Sequence, residues 1–375
     1  MIGCYIHHQG AGHLHRSLTW ARAWSQLNQE PVAGLSSLEQ PRDWPGPWVS
    51  LEADDDGSTS HHSAGGVLHW APVHHAGLRS RMTRISQWIS SENPDLLVAD
   101  VSVEVAMLAR LHGVPVVTVA LPGDRTDRTH ALGYEISSAI AGFWPPAANG
   151  IIGRQDQGAA VSPLGAISRF PPAAADNPDS TRAPRSPEAP EILIMGGRGG
   201  GGIPPAAQRA VTAAFPQSRI THIGGTTGTW TSDPWSALQQ ADVVVTAAGQ
   251  NSLAEIAASR TPAVVYALDR PHQEQRHTLE SLRRGPWPVI PAPESADAVA
   301  WRDALEAALQ LNGNDWRTWC DGQAQHRFAA LLEQVRDSMK PHPVQSHPAQ
   351  SHPVQSPPSI PTVQASPGPS PRTNQ

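Results

Sequence analysis

Twice along this chain a short apolar run passes straight into a glycine-rich turn and out into a helical pattern. The first instance is IGCYIHHQGAGHLHR at 2–16, the second ILIMGGRGGGG at 192–202. Strand, tight turn and helix in that order is the unit that builds parallel sheets with crossover helices. A chain of 375 residues also exceeds what one compact core usually holds. The repetition therefore predicts two Rossmann-like α/β halves, each with its own sheet.

The rest of the pattern fits. In the first half, strands are expected at 2–6, 31–35, 96–99 and 114–120, and helices at 13–28, 78–90 and 103–112. Leu78, Met82, Ile85 and Ile89 form one apolar stripe at helical spacing. Residues 41–66 are acidic and rich in Pro and Gly, and read as a surface excursion. Prolines 178, 184, 187 and 190 lie among small and charged residues and mark a linker. Beyond it, strands are expected at 191–195, 219–223, 242–246 and 263–266. Helices are expected at 206–214, 235–240, 251–259, 273–283, 298–311 and 316–339. The division is then 1–170, a linker 171–190, a second domain 191–340 and a tail. Residues 341–375 hold ten prolines and the repeat HPVQS, HPAQS, HPVQS, which has too little apolar surface to offset its ordering entropy. That tail is expected to be disordered.

Bulk properties exclude several classes. Net charge is −6, from 27 basic and 33 acidic residues with no dense Lys/Arg run, so no nucleic-acid partner is expected. The two cysteines, Cys4 and Cys320, give no disulfide framework and suit a reducing compartment. The opening MIGCYIHHQG lacks the basic and long apolar regions of a signal peptide, and no run of 18 apolar residues occurs. A cytoplasmic protein is expected, with peripheral attachment at the inner membrane face as a variant. His342, His347 and His352 recur every five residues, a spacing that fits no defined metal site, and no metal is expected.

Four segments carry chemistry. In HHQGAGHLHR, Gly10 and Gly12 permit a tight turn at a strand's C-terminal end, where ligands bind in open α/β sheets. The third glycine of a dinucleotide fingerprint is missing, its place taken by Leu14 or Arg16. Four histidines (7, 8, 13 and 15) crowd this turn, and His13 is the candidate catalytic base. Asp100, ending the strand DLLVAD, is the rival base. In GGRGGGG, the backbone amides of Gly197 and Gly199 with the cation of Arg198 can cradle phosphate. In TAAGQNSLAEIAAS, the small turn ending at Gly249 opens a helix carrying Asn251, Ser252 and Glu255 near its start. Ser252 and Glu255 share a face, where a carboxylate can accept both ribose hydroxyls. In DRPHQEQRHTLESL, Asp269, His272, Glu274 and Gln275 cluster at the start of the next helix.

The succession of a strand, TAAGxxSLAEIAA, a strand and HQEQ resembles the C-terminal domain of glycosyltransferase family 28, which includes the N-acetylglucosaminyltransferase that forms lipid II. GAGH at 10–13 is similar to that family's first glycine turn. The resemblance covers this turn and roughly 190–290. It implies a GT-B fold, two Rossmann-like domains facing a cleft, with the donor nucleotide on the second and the acceptor on the first. Glu255 then falls on the family's ribose-binding glutamate, and Gly249 and Ser252 near the turn lining ribose and phosphate. Residues 196–200 fall on its glycine loop and His13 on its first-turn histidine, while Gln275 replaces the glutamine that reads sugar hydroxyls. Arg276 and His277 stand where the lipid-II enzyme has paired glutamines, which leaves the donor sugar open.

The implied activity is an inverting, metal-independent transfer of an N-acetylhexosamine or hexose from a UDP-sugar to an acceptor hydroxyl. No cofactor is needed beyond the UDP-sugar substrate, and the acceptor is a lipid-linked molecule or a small metabolite. A general base, His13 or Asp100, deprotonates that hydroxyl while helix N-termini and Arg198 stabilise the departing diphosphate. Two alternatives share these features. A nucleotide-sugar 2-epimerase would turn over donor without acceptor, and a non-catalytic donor-binding subunit would bind UDP without turnover.

Overall fold

The computed structural model of the protein describes residues 1–55, 61–153, 160–174, 188–197, 202–225, 228, 230–231 and 233–340. The expected disordered tail, most of the expected linker, and Arg198 and Gly199 lie outside them.

The chain opens with β1 (Ile2–Ile6), α1 (Gly12–Asn28), β2 (Val32–Ser36), β3 (Trp48–Ser50), α2 (Ala76–Glu92) and β4 (Leu96–Asp100). It continues with α3 (Val103–Leu111), β5 (Val116–Ala120), α4 (Arg128–Glu135), β6 (Ala139–Gly142) and β7 (Val161–Pro163). These seven strands form one sheet in the order β3-β2-β1-β4-β5-β6-β7, parallel at every pairing. β1, β2, β4 and β5 are buried at every residue, as strands covered by helices on both faces must be. Ile6 pairs with Asp100, so β1 and β4 end side by side. There the order reverses, which opens a crevice at their carboxyl ends.

The second sheet takes β8 (Ile192–Met195), α5 (Pro205–Ala214), β9 (Ile220–Ile223), α6 (Pro234–Gln240), β10 (Val243–Ala247) and α7 (Gln250–Ser259). Then come β11 (Ala263–Tyr266), α8 (Glu274–Arg284), β12 (Val289–Pro291), α9 (Ala298–Leu309) and α10 (Ala324–Ser338). Its order is β12-β11-β10-β8-β9, again all parallel. The reversal lies between β8 and β10, beside Gly196 and Gly249.

Each predicted strand is present to within two residues at either end. Three differences have physical causes. The excursion at 41–66 contains β3, whose Trp48 packs on the Cα of Gly34, where a methyl group would meet the indole at 2.3 Å. α4, β6, β7 and β12 were not anticipated; β6, β7 and β12 are of three or four residues, too short to show a period. The helix expected over 316–339 is broken. A 3₁₀ segment, Gly313–Thr318, gives way near Gly322, whose φ of +77° favours glycine, before α10 starts.

That break lets α10, grouped by sequence with 191–340, pack on the first sheet instead. Phe328 sits edge-on to Trp20 at 5.2 Å and to Phe143 at 5.3 Å. Arg336 reaches Glu30 at 2.9 Å. Ala324, Phe328, Ala329, Leu332 and Val335 thus complete a core with Ile2, Cys4, Ile6, Trp20 and Trp24. Both cysteines are buried free thiols. Among the described residues, no helix is long and apolar enough to cross a membrane.

Candidate active site

The turn after β1 delivers α1 so that His13 and Arg16, one helical turn apart, face the buried end of β4. There Asp100 is 1% exposed. Its Oδ1 accepts from Arg16 Nη2 at 2.5 Å, and its Oδ2 lies 3.0 Å from His13 Nδ1. Burial alone would raise the Asp100 pKa. Arg16 and His13 outweigh it and hold the carboxyl down to about 2. The carboxylate is therefore ionised at neutral pH and accepts, so His13 carries its proton on Nδ1. Arg16 Nη2 also lies 3.1 Å from that nitrogen, but a nitrogen already donating cannot accept, and Arg16 is spent on Asp100. Nε2 is left as the basic nitrogen. His13 and Asp100, proposed as rivals from sequence, are one hydrogen-bonded unit.

His7 is 5.7 Å from His13, ring centre to centre, and stacks on His8. Burial first, then the neighbouring His13 and His8, lower the His7 pKa to about 4. His7 is therefore neutral beside the dyad.

The second half meets this edge directly. Arg16 Nη1 donates to Gln250 Oε1 at 3.3 Å, and a Cβ on Gly12 would come within 2.1 Å of the Asn251 amide nitrogen. The start of α7 thus lies against the start of α1. Neither helix has a side-chain cap, nor does α5 behind the glycine loop, whereas Ser102, Asp127 and Asp297 cap α3, α4 and α9. Helix starts without caps keep backbone N–H groups free for an anion. Gly10 adopts a φ of +82° with open space around it, and Gly197 and Gly249 likewise have room where a side chain would stand. Ser252 is half-buried one residue beyond Asn251.

Glu255 is buried, as a residue on the inner face of α7 should be, and it is already engaged. Arg169, on the chain leaving β7, donates to it through Nε at 2.7 Å and Nη2 at 3.4 Å. Here burial prevails, and the Glu255 pKa stands above its ordinary value despite Arg169. Arg169 also lies over Phe170, which stacks on Trp235 at 5.0 Å. Gln275 is turned inward, its Oε1 accepting from Leu268 N at 2.9 Å, so it braces the loop ahead of α8. Glu274 of this segment does face the first half. Burial raises its pKa, opposed by Arg125, Arg270, His13 and Arg16. Its carboxylate lies 3.8 Å from Arg125 Nη2.

Sequence reading did not single out Arg16 and Arg169, which the structure brings against Asp100 and Glu255. The first was legible, because it sits three positions after His13 on one helix. The second lies 86 residues from Glu255 in no recognisable motif.

No protein-family model matches the sequence, and no curated protein matches it. Solved structures superpose on nearly the whole chain. The glycotransferase of kitacinnamycin gives a TM-score of 0.60 at 15% identity, covering 89% of this chain and 98% of that one. MurG of Acinetobacter baumannii gives 0.55 at 14%, covering 89% and 99%. A UDP-glucosyltransferase from Polygonum tinctorium, capable of glucosylating indoxyl, gives 0.59 at 12%, covering 90% and 98%. At such identities the likeness concerns the fold, which is GT-B: two parallel-sheet units flanked by helices and facing one another across a cleft.

Proposed function

We propose that the chain is a glycosyltransferase that moves an N-acetylhexosamine or hexose from a UDP-sugar to an acceptor hydroxyl, with inversion. The observation that carries this reading is the His13–Asp100–Arg16 unit facing the uncapped start of α7. His13 Nε2 takes the acceptor proton as the oxygen attacks the anomeric carbon. Asp100 fixes the ring's tautomer and stabilises the imidazolium that forms. Arg16 keeps Asp100 charged. The leaving diphosphate gathers negative charge, which the amides at the start of α7, those of Ala206 and Ala207 in α5 and that of Gly197 receive. Glu255 accepts the ribose hydroxyls once Arg169 releases it, and its half-exposed partner makes that exchange feasible. Fold-sharing structures include the glycotransferase of kitacinnamycin and a UDP-glucosyltransferase, which supports the reading.

The test is a thermal-shift panel of nucleoside diphosphates and their sugars, followed by acceptor screening with the best donor. Stabilisation by UDP and its sugar, with sugar transfer to an added acceptor, is the expected outcome. Donor turnover without acceptor would replace this reading by epimerisation, and UDP binding without turnover by a donor-binding subunit.

A further inference from the structure

The geometry points to a divalent transition-metal site bridging the two halves, with His69, Asp127 and His272 as ligands and His130 holding Asp127 in place. These four residues come from three separate stretches of chain, and one donor atom from each lies within 4.8 Å of all the others. His69 precedes α2, Asp127 caps α4, and His272 belongs to the loop before α8 in the second half.

The distances separate ligands from support. A tetrahedral ion with bonds of about 2.0–2.1 Å spaces its donors by about 3.3 Å. His69 Nε2 lies 3.5 Å from Asp127 Oδ1, and His272 Nδ1 lies 3.8 Å from Asp127 Oδ2, both near that edge. His130 Nδ1 is 2.5 Å from Asp127 Oδ2, a hydrogen bond and too close for two ligands. Arg125 Nη1 donates to His130 Nε2 at 3.2 Å, so the His130 proton sits on Nδ1, pointing at the carboxylate. A metal-bound carboxylate steadied by a neighbouring N–H is a familiar outer arrangement.

Each ligand is also prepared. His69 Nε2 is buried without a hydrogen-bond partner, and its loop is pinned by Glu104, which accepts from the His69 and Trp70 amides at 2.8 and 3.0 Å. His272 is held at a φ of 56°, a left-handed conformation unusual for a side-chain-bearing residue, and its carbonyl accepts from Asp124 N at 2.7 Å. With donors from both halves, a bound ion clamps the cleft's rim. This places no metal in the chemical step.

The probe is Zn²⁺, with Co²⁺ as the visible-absorbing substitute, added to the chelator-stripped full-length chain. His342, His347 and His352 are changed to Gln to remove the tail's histidines. One Zn²⁺ per chain is expected, with a rise in Tm and a Co²⁺ visible spectrum. His69→Ala and His272→Ala should each weaken Zn²⁺ binding by more than about 100-fold. His130→Ala should weaken it by about 10–100-fold, the range for loss of an outer partner. Asp127→Asn keeps a competent helix cap and so guards against misfolding, yet should also lose the ion. No binding at millimolar Zn²⁺, or unchanged affinity in His69→Ala and Asp127→Asn with parental metal-free Tm, would overturn the site.

Discussion

Two buried carboxylates, one in each half, meet an arginine and respond in opposite directions. Asp100 has Arg16, itself 3% exposed on its side chain, and His13 besides, and its pKa falls to about 2. Glu255 has Arg169 alone, with 31% of that side chain exposed, and its pKa rises. A second partner and a dry guanidinium overcome the cost of burial, while a single half-solvated one does not. One carboxylate is thereby charged at neutral pH and orients His13, the base of the proposed reaction. The other is held by one partly solvated arginine, through Nε and Nη2.

The largest expected effect tests the first member. His13→Ala should lower kcat by about 10²–10⁴-fold while donor affinity changes little, measured by steady-state kinetics and UDP calorimetry. Asp100→Asn should lose activity to a similar degree, and the double variant no further, because the two act as a unit. Additive losses would break the dyad apart.

Stability comes next. Asp100→Ala strands Arg16 as a buried unpaired cation and should cost about 3–5 kcal/mol in urea unfolding at pH 7. The pH profile sharpens the contrast. Asp100 has a depressed pKa, so its contribution of about 2 kcal/mol is present above pH 3.8 and lost as pH falls towards 2. Glu255 has a raised pKa, so its contribution is largest below 4.5 and is lost as pH rises through the folded value. Asp100→Asn should remove part of the acid limb of the stability curve, whereas Glu255→Gln should improve stability at neutral pH relative to pH 4.

Smaller again is the loss in UDP affinity on Glu255→Ala, about 1.5–3 kcal/mol, read by calorimetry. Unaltered affinity in a folded variant would leave Glu255 as a mere partner of Arg169. Least of all, Gly12→Ala should change stability by under about 1 kcal/mol in urea. The atom it would strike is the tip of the flexible Asn251 side chain, which can swing aside.

Strand and helix order was legible because each buried strand is a continuous apolar run and each glycine turn announces a strand's end. His13 and Asp100 were legible as strand-end residues for the same reason, though their union was not, since no spacing reveals that β1 and β4 are neighbours. Glu255 stood out by its place on α7, but Arg169 did not, since its meaning depends on where the chain crosses. The cluster of His69, Asp127, His130 and His272 is spread over 204 positions and exists only once the halves meet. The packing of α10 was hidden too, because an apolar stripe says that a helix is buried and never against what.

That last helix bears on how the molecule is made. The chain passes from first half to second near Pro172 and returns near Gly322, and the two crossings touch, with a Cβ on Gly322 placed 2.8 Å from Pro172 Cγ. Arg327 ties the return to Leu164 O at 2.8 Å. The two crossings thus join the halves side by side, next to a buried apolar cluster that holds Trp144 and Ile151 of the first half with Leu193 and Leu253 of the second. The first half also lacks its closing layer until residue 338 has left the ribosome, although its first strand emerges at residue 2. The segment made later can therefore complete its core sooner, and the portion made first waits for α10 to be sealed.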